Sequence, residues 1–250
     1  MRRGARLLSM PRCRALLLDF YGTLVDEDTD VIEAICQEVC RNAQAASPAE
    51  VARTWSSIFR ELTSVSLGTA FRLQRDLAQM SLAATVSRYH SAADPDALLE
   101  AQFSYWQRPR IQPDTQELLA TTLPACLVSN IDRADLVAAL AHHGLARRFT
   151  HLVTSQDARA YKPRPEMFRT ALALLGLGPD EVIHVGDSLS SDVAGAQRLG
   201  IPAAWVNRSR RPAPTAGPTP TYEISDLSQL LPLLDGLARR PYSNWPHVPR

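Results

Sequence analysis

The stretch Cys13-Arg-Ala-Leu-Leu-Leu-Asp19 is a short apolar run that stops on an acid, and Phe20-Tyr21-Gly22-Thr23 follows it. An apolar run of that length closed by a glycine turn predicts a buried strand of a parallel sheet. From Asp28 to about Arg108 the period changes. Apolar residues recur three and four apart, at Val31, Ile32, Ile35 and Val39, and again at Leu73, Leu77 and Met80. Breaks at Ser47-Pro48, Gly68 and Asp94-Pro95 divide this stretch into about four helices. No strand signal interrupts it.

After Pro109 helices and strands alternate. Helix 113–122 leads to strand 125–128, and helix 133–143, with Gly144 just past its end, leads to strand 150–153. Helix 165–175 leads to strand 182–185, and helix 191–199 leads to strand 203–206. Segment 211–220 contains four prolines and reads as a loop, followed by a short strand near Tyr222 and a helix at 227–237. Such alternation requires right-handed crossovers and a parallel sheet. The expected fold is therefore α/β: a core of residues 11–27 and 109–238, interrupted by an all-helical insert at 28–108. Residues 1–10 and 239–250 are expected to be flexible tails. In an open parallel sheet ligands sit at the carboxyl ends of strands. The insert leaves the core beside Asp19 and is expected to lie over that edge as a lid.

Composition narrows the partners. The 250 residues carry a formal net charge of only +1, so no global field favours nucleic acid or a membrane surface. No apolar run approaches the ~20 residues of a membrane span. The basic segment Met1–Arg14 lacks the apolar stretch and cleavage site of a secretory signal, and the cytoplasm is the expected address. Cys13, Cys36, Cys40 and Cys126 lack metal-type spacing and read as reduced thiols. A monomer and a homodimer are both compatible with the chain.

Four polar clusters fall at the carboxyl ends of predicted strands: Asp19 to Thr23, Ser129-Asn130, Tyr161-Lys162-Pro163, and Gly186-Asp187-Ser188 with Asp192. A carboxylate at a strand end can attack phosphorus or carbon and form a covalent intermediate. Lys162 would neutralise a carboxylate or phosphoryl oxygen, and Ser129 would donate a hydrogen bond to the group being transferred. Asp187 could share a hard cation with Asp19, and Mg²⁺ suits such oxygen ligands. His184 sits in a predicted buried strand and reads as a core residue. His142 and His143 close a helix and complement its dipole. Phe71, Tyr105 and Trp106 read as helix-packing residues. Of the arginines at 53, 60, 72 and 75, one could meet an anionic substrate.

In order and spacing these clusters resemble the four motifs of the haloacid dehalogenase superfamily, in its helical-cap branch. The matching residues are Asp19-x-Tyr-Gly-Thr-Leu, Val128-Ser129-Asn130, Lys162-Pro-x-Pro and Val-Gly-Asp187-Ser-x-x-x-Asp192. The resemblance covers residues 14–235 and implies a Rossmann-like core under a helical cap. It implies that Asp19 is the nucleophile and that Ser129 and Lys162 bind the transferred group. Thr23 would steady the first loop, and Asn130 would position the substrate or that loop. Mg²⁺ would be held by Asp19, the Tyr21 backbone carbonyl, Asp187 and Asp192, with Asp192 alternatively orienting Lys162 or a metal-bound water.

One position departs from the phosphatase pattern. Phosphatases of the family carry an acid/base Asp two residues after the nucleophile, where this chain has Tyr21. The 2-haloacid dehalogenases also have Tyr there, because halide leaves without a proton. Their fourth motif, however, resembles Ser-Ser-Asn and uses no metal. Arg53 lies near the expected place of their halide-binding arginine, in surroundings that match poorly. A Mg²⁺-dependent phosphatase of a small phosphorylated metabolite is the expectation. The alternatives are a metal-independent 2-haloacid dehalogenase and a catalytically weak binding or regulatory protein. Tyr21 would be a poor base at neutral pH, with an ordinary pKa near ~10. Turnover should therefore favour leaving groups that need little protonation, unless Asp26, Glu27 or Asp28 supplies the missing carboxylate.

Overall fold

The computed structural model describes residues 13–41, 43, 47–213 and 215–239. Six strands form one parallel sheet: β1 (Ala15–Leu18), β2 (Ala125–Ser129), β3 (His151–Thr154), β4 (Val182–Gly186), β5 (Ala203–Val206) and β6 (Tyr222–Ile224). Their order is β3-β2-β1-β4-β5-β6, and every neighbouring pair is parallel. The chain winds outward in one direction from β1 to β3, then crosses to β4 and winds the other way. The switch point lies between β1 and β4, where a doubly wound sheet opens its ligand crevice. Asp19 follows β1 there, and Asp187 follows β4.

Between β1 and β2 the chain forms α1 (Thr29–Arg41), α2 (Pro48–Val65), α3 (Gln74–Arg88) and α4 (Pro95–Gln107), with a 3-10 turn at Gly68–Ala70. The predicted breaks are helix starts with a physical cause. Ser47 and Glu50 form a reciprocal capping box ahead of Pro48. Asp94 accepts the backbone N–H groups of Asp96 and Ala97, with Pro95 in the first turn. These helices pack on one another, and α4 packs on the core helix at Arg133–His142. Ile35, Val39, Trp55, Leu82 and Trp106 belong to the same buried cluster as Leu16 and Leu18 of β1. Alternate residues Ala15 and Leu17 face a second core, built with Met167, Phe168 and Trp205. Since successive strand residues point to opposite faces, both faces of β1 are covered and its four residues are fully buried.

The remaining helices are α5 (Thr115–Leu119), α6 (Arg133–His142), α7 (Ser155–Ala158), α8 (Glu166–Leu175), α9 (Ala194–Gln197) and α10 (Leu230–Arg239). Several differ from the sequence reading. The helix predicted at 113–122 is only five residues long and ends well ahead of Pro124. The one predicted at 191–199 begins as a single π-helical turn, Leu189–Val193, and continues as α9. The last helix starts with a 3-10 turn at Leu227–Gln229 and runs through Arg239, which had been placed in the tail. The tails expected at 1–10 and from 240 onward lie outside the described residues. No helix among the described residues is long and apolar enough to cross a membrane.

Candidate active site

Asp19, one residue past the end of β1, is held by its backbone: its N–H donates to the Val185 carbonyl of β4 at 2.9 Å. Its carboxylate lies 2.7 Å from the Lys162 ammonium. Lys162 also donates to the Val128 carbonyl at 2.9 Å and to the Asp192 carboxylate at 2.6 Å, so its three N–H bonds are all used. Both Lys162 and Asp19 are 6% exposed, which makes each contact strong and each unpaired charge costly. Asn130 grips the peptide of Lys162, accepting its backbone N–H at 2.8 Å and donating back to its carbonyl at 3.4 Å. Asn130 therefore positions the lysine, where the sequence suggested the substrate or the Asp19 loop. Ser129, at the end of β2, is buried beside it.

Asp192 is the most heavily engaged acid. Beyond Lys162 it meets His184 Nε2 at 2.9 Å and accepts the Ser188 backbone N–H at 3.1 Å. The π-helical turn carries Asp192 back under the end of β4. Gly186 is required there, because a Cβ at that position would lie 2.3 Å from the Asp192 carboxyl carbon. His184 is fully buried and packs edge-on against Phe168. The sequence reading left it in the core. The structure gives it a polar task, holding the acid that holds the lysine.

Asp187 differs from both other acids. Among the described residues no donor reaches its carboxylate. It packs over Gly22, whose φ of +79° and absent side chain leave it room: a Cβ at Gly22 would lie 2.7 Å from the Asp187 carboxyl group. Oxygens of Asp19, Asp187 and Asp192 come within 4.8 Å of one another. Burial pushes the Asp187 carboxyl well above its ordinary range, and the negative charges of Asp192, Asp19 and Glu27 push it further. Burial likewise raises Asp19, against the pull of Lys162. For Asp192 burial is outweighed by the Lys162 charge and the His184 hydrogen bond, and its carboxyl falls below the ordinary range. Three close carboxylates therefore share one ammonium. That donor set fits a hard divalent cation, which would sit against Asp187, the acid with no other partner.

The phenol of Tyr21 points away from this cluster and donates to the Trp106 carbonyl in α4. Burial raises its pKa, as do the nearby acids Asp135, Asp28 and Asp19. Tyr21 is thus tied to the helical insert and unsuited to proton transfer. The buried Thr23 hydroxyl has no protein partner, and the Thr23 carbonyl accepts from Arg208 at 2.9 Å. Of the three acids after the first loop, Asp26 is bound by Arg110 and Gln112, and Asp28 by Gln102 and Trp106. Glu27 alone keeps a carboxylate with no partner among the described residues. It lines a cavity of about 440 Å³ that also touches Gly22 and Asp187. Arg53 is exposed on α2 and lines none of the cavities around the cluster. All four cysteines are free, and burial pushes the Cys36 thiol up to about 11 and Cys126 to about 12.

The fold is matched by known proteins. Residues 13–200 match the family described as haloacid dehalogenase-like hydrolase. The chain belongs to this family. It is 25% identical to (S)-2-haloacid dehalogenase H-109 of Pseudomonas putida over 226 residues, covering 88% of this chain and 97% of the relative. It is 33% identical to a phosphoserine phosphatase of Thermus thermophilus over 141 residues, covering 53% and 55% of the two chains. Among solved structures, the L-2-haloacid dehalogenase of Xanthobacter autotrophicus superposes with a TM-score of 0.70 at 23% identity, covering 89% of this chain and 98% of that one. A haloacid dehalogenase-like hydrolase is thereby established, with the α/β fold and small-molecule chemistry of that family.

Proposed function

We propose that this hydrolase is a Mg²⁺-dependent phosphatase of a small phosphorylated metabolite, working through an aspartyl-phosphate on Asp19. The observation that carries this reading is the group of three carboxylates, Asp19, Asp187 and Asp192, within 4.8 Å of one another. A metal-free site would have to keep Asp187 ionised beside two other acids, or leave it protonated. Asp19, Asp187 and the Tyr21 backbone carbonyl would hold the ion, which would supply positive charge to the phosphoryl oxygens. Asp192, saturated by Lys162, His184 and the Ser188 amide, is better suited to positioning Lys162 than to direct coordination. The Asp19 oxygen attacks phosphorus as the bond to the leaving oxygen breaks, and water then cleaves the acyl phosphate. Ser129 would donate to the transferred group, and the Lys162 charge, fixed against Asp19, would offset the negative charge gathered there.

With Tyr21 held by Trp106, proton delivery to the leaving group falls to Glu27 or to solvent. Exchanging Glu27 for Gln should slow alkyl phosphate hydrolysis by about 10²-fold, the lower end for a positioned general acid, and slow acyl phosphate hydrolysis much less. Equal losses on both substrates would remove Glu27 from proton transfer.

A second reading, the 2-haloacid dehalogenase, is favoured by Tyr21 and by the near full-length match to relatives that carry that name. A panel of p-nitrophenyl phosphate, acetyl phosphate, hexose 1- and 6-phosphates and L-2-chloropropionate separates the two. Phosphate release that needs Mg²⁺ and Asp19 is the expected outcome. Chloride release indifferent to EDTA would overturn it in favour of the dehalogenase.

A further inference from the structure

A second cavity, of about 540 Å³, opens on the Lys162 side of the cluster, between α2, the start of α3 and the loops after β2 and β4. Its floor contains Lys162 and Asn130, and its walls carry Arg60 from the insert with Arg164 and Arg198 from the core. No Asp or Glu lines it. Lys162 is already neutralised by Asp19 and Asp192, but the three arginines enter none of the ion pairs among the described residues. Arg60 and Arg164 spend only one N–H each, on the Ser56 and Ser64 carbonyls. The opposite cavity, beside Asp187, also contains arginines, yet Arg110 is paired with Asp26 and Arg208 with Asp114, and Arg211 shares that cavity with Glu27, Asp30 and Asp187, which enter no ion pair among the described residues. A lining with arginines and no acids is therefore found at one mouth of the site and not at the other.

We infer that the substrate carries a second anionic group, a carboxylate or another phosphate, which Arg60, Arg164 and Arg198 bind while the scissile phosphate lies at Asp19. Guanidinium forks suit both groups, since each offers paired planar oxygens or several acceptors. A cleft lined by charge of one sign also concentrates such substrates. The chemical class is a phosphorylated hydroxy acid or a bisphosphate. The inference takes its orientation at Asp19 from the phosphatase reading, but its binding step needs no turnover.

The test compares 3-phosphoglycerate with glycerol 3-phosphate, which differ only in replacing a carboxylate by a hydroxymethyl group. Binding of each to the Asp19→Asn protein with Mg²⁺ is measured by calorimetry, alongside kcat/KM on the unaltered enzyme. The carboxylated probe should bind about tenfold or more tighter. That ratio should collapse towards one in the triple variant Arg60→Gln, Arg164→Gln, Arg198→Gln made in the same background. Equal binding of the two probes, binding of neither, or a ratio unchanged in the triple variant would overturn the inference. A binding preference with no phosphate release from any substrate would overturn the phosphatase reading and leave the anion site standing.

Discussion

Replacing Asp19 by Asn should lower kcat by about 10⁴-fold or more, whichever electrophile the site attacks, because no other carboxylate can take its place. Asp187 lies after a different strand, and Asp192 is saturated by Lys162, His184 and the Ser188 amide. The change should not unfold the protein. Asn keeps an oxygen that can accept from Lys162, and burial already works against the charged form of Asp19. The metal-free variant should therefore melt no lower than the unaltered chain. Loss of activity with an equal or higher Tm, read by steady-state kinetics and calorimetry, is the expected pair. Activity retained within about tenfold would remove Asp19 from the chemistry.

The second large effect concerns the metal. In EDTA the protein should lose stability as pH rises above the ordinary carboxylate range near ~3.9. The folded-state pKa of Asp187 is raised, so the native state binds a proton more tightly than the unfolded chain does. Its contribution is complete below the ordinary carboxylate range near ~3.9 and disappears as pH climbs through the raised value. Asp19, also raised, acts in the same direction. Asp192 is lowered, so its contribution is lost only on acidification, and the raised Lys162 loses its own only at strongly alkaline pH. Neither masks the trend. Mg²⁺ at about a hundred times its Kd should restore about 5–10 °C of Tm at pH 8. The Asp187→Asn variant should melt higher in EDTA, with a flatter pH profile and a smaller response to Mg²⁺. An identical Mg²⁺ shift in the variant would place the ion elsewhere.

Most of this framework could be read from local patterns. Asp19, Ser129 and Asp187 each end a short apolar run, so one strand rule located these three at the same sheet edge, while Lys162, beyond α7, was found by its Lys-Pro-x-Pro motif. Ser47-Pro48 and Asp94-Pro95 announced helix starts by their own chemistry. What escaped depends on contacts across the fold. Whether an imidazole in a buried strand meets only hydrocarbon or a carboxylate eight residues on is decided by the π-helical turn that returns Asp192 beneath His184. Tyr21 could be assigned no partner because Trp106 lies 85 residues away. Asn130 carried the motif, but its grip on the Lys162 peptide, 32 residues away, could not be read from it. The short helix α7 was overlooked although Thr154 and Asp157 spell a capping box, since four residues are too few to show a period.

The start of α3 is held from outside the insert. The Asp132 carboxylate, just before α6, accepts the backbone N–H groups of Gln74 and Arg75 at 2.8 and 3.0 Å, and Arg75 reaches on to Asp135. A helix normally supplies its own N-terminal partners. Here the partner belongs to the opposing layer, so parting the two layers strips α3 of its cap and leaves bare amide donors facing the gap. Any parting of the layers at this point would therefore fray a helix end as well as break two amide hydrogen bonds and one guanidinium–carboxylate pair.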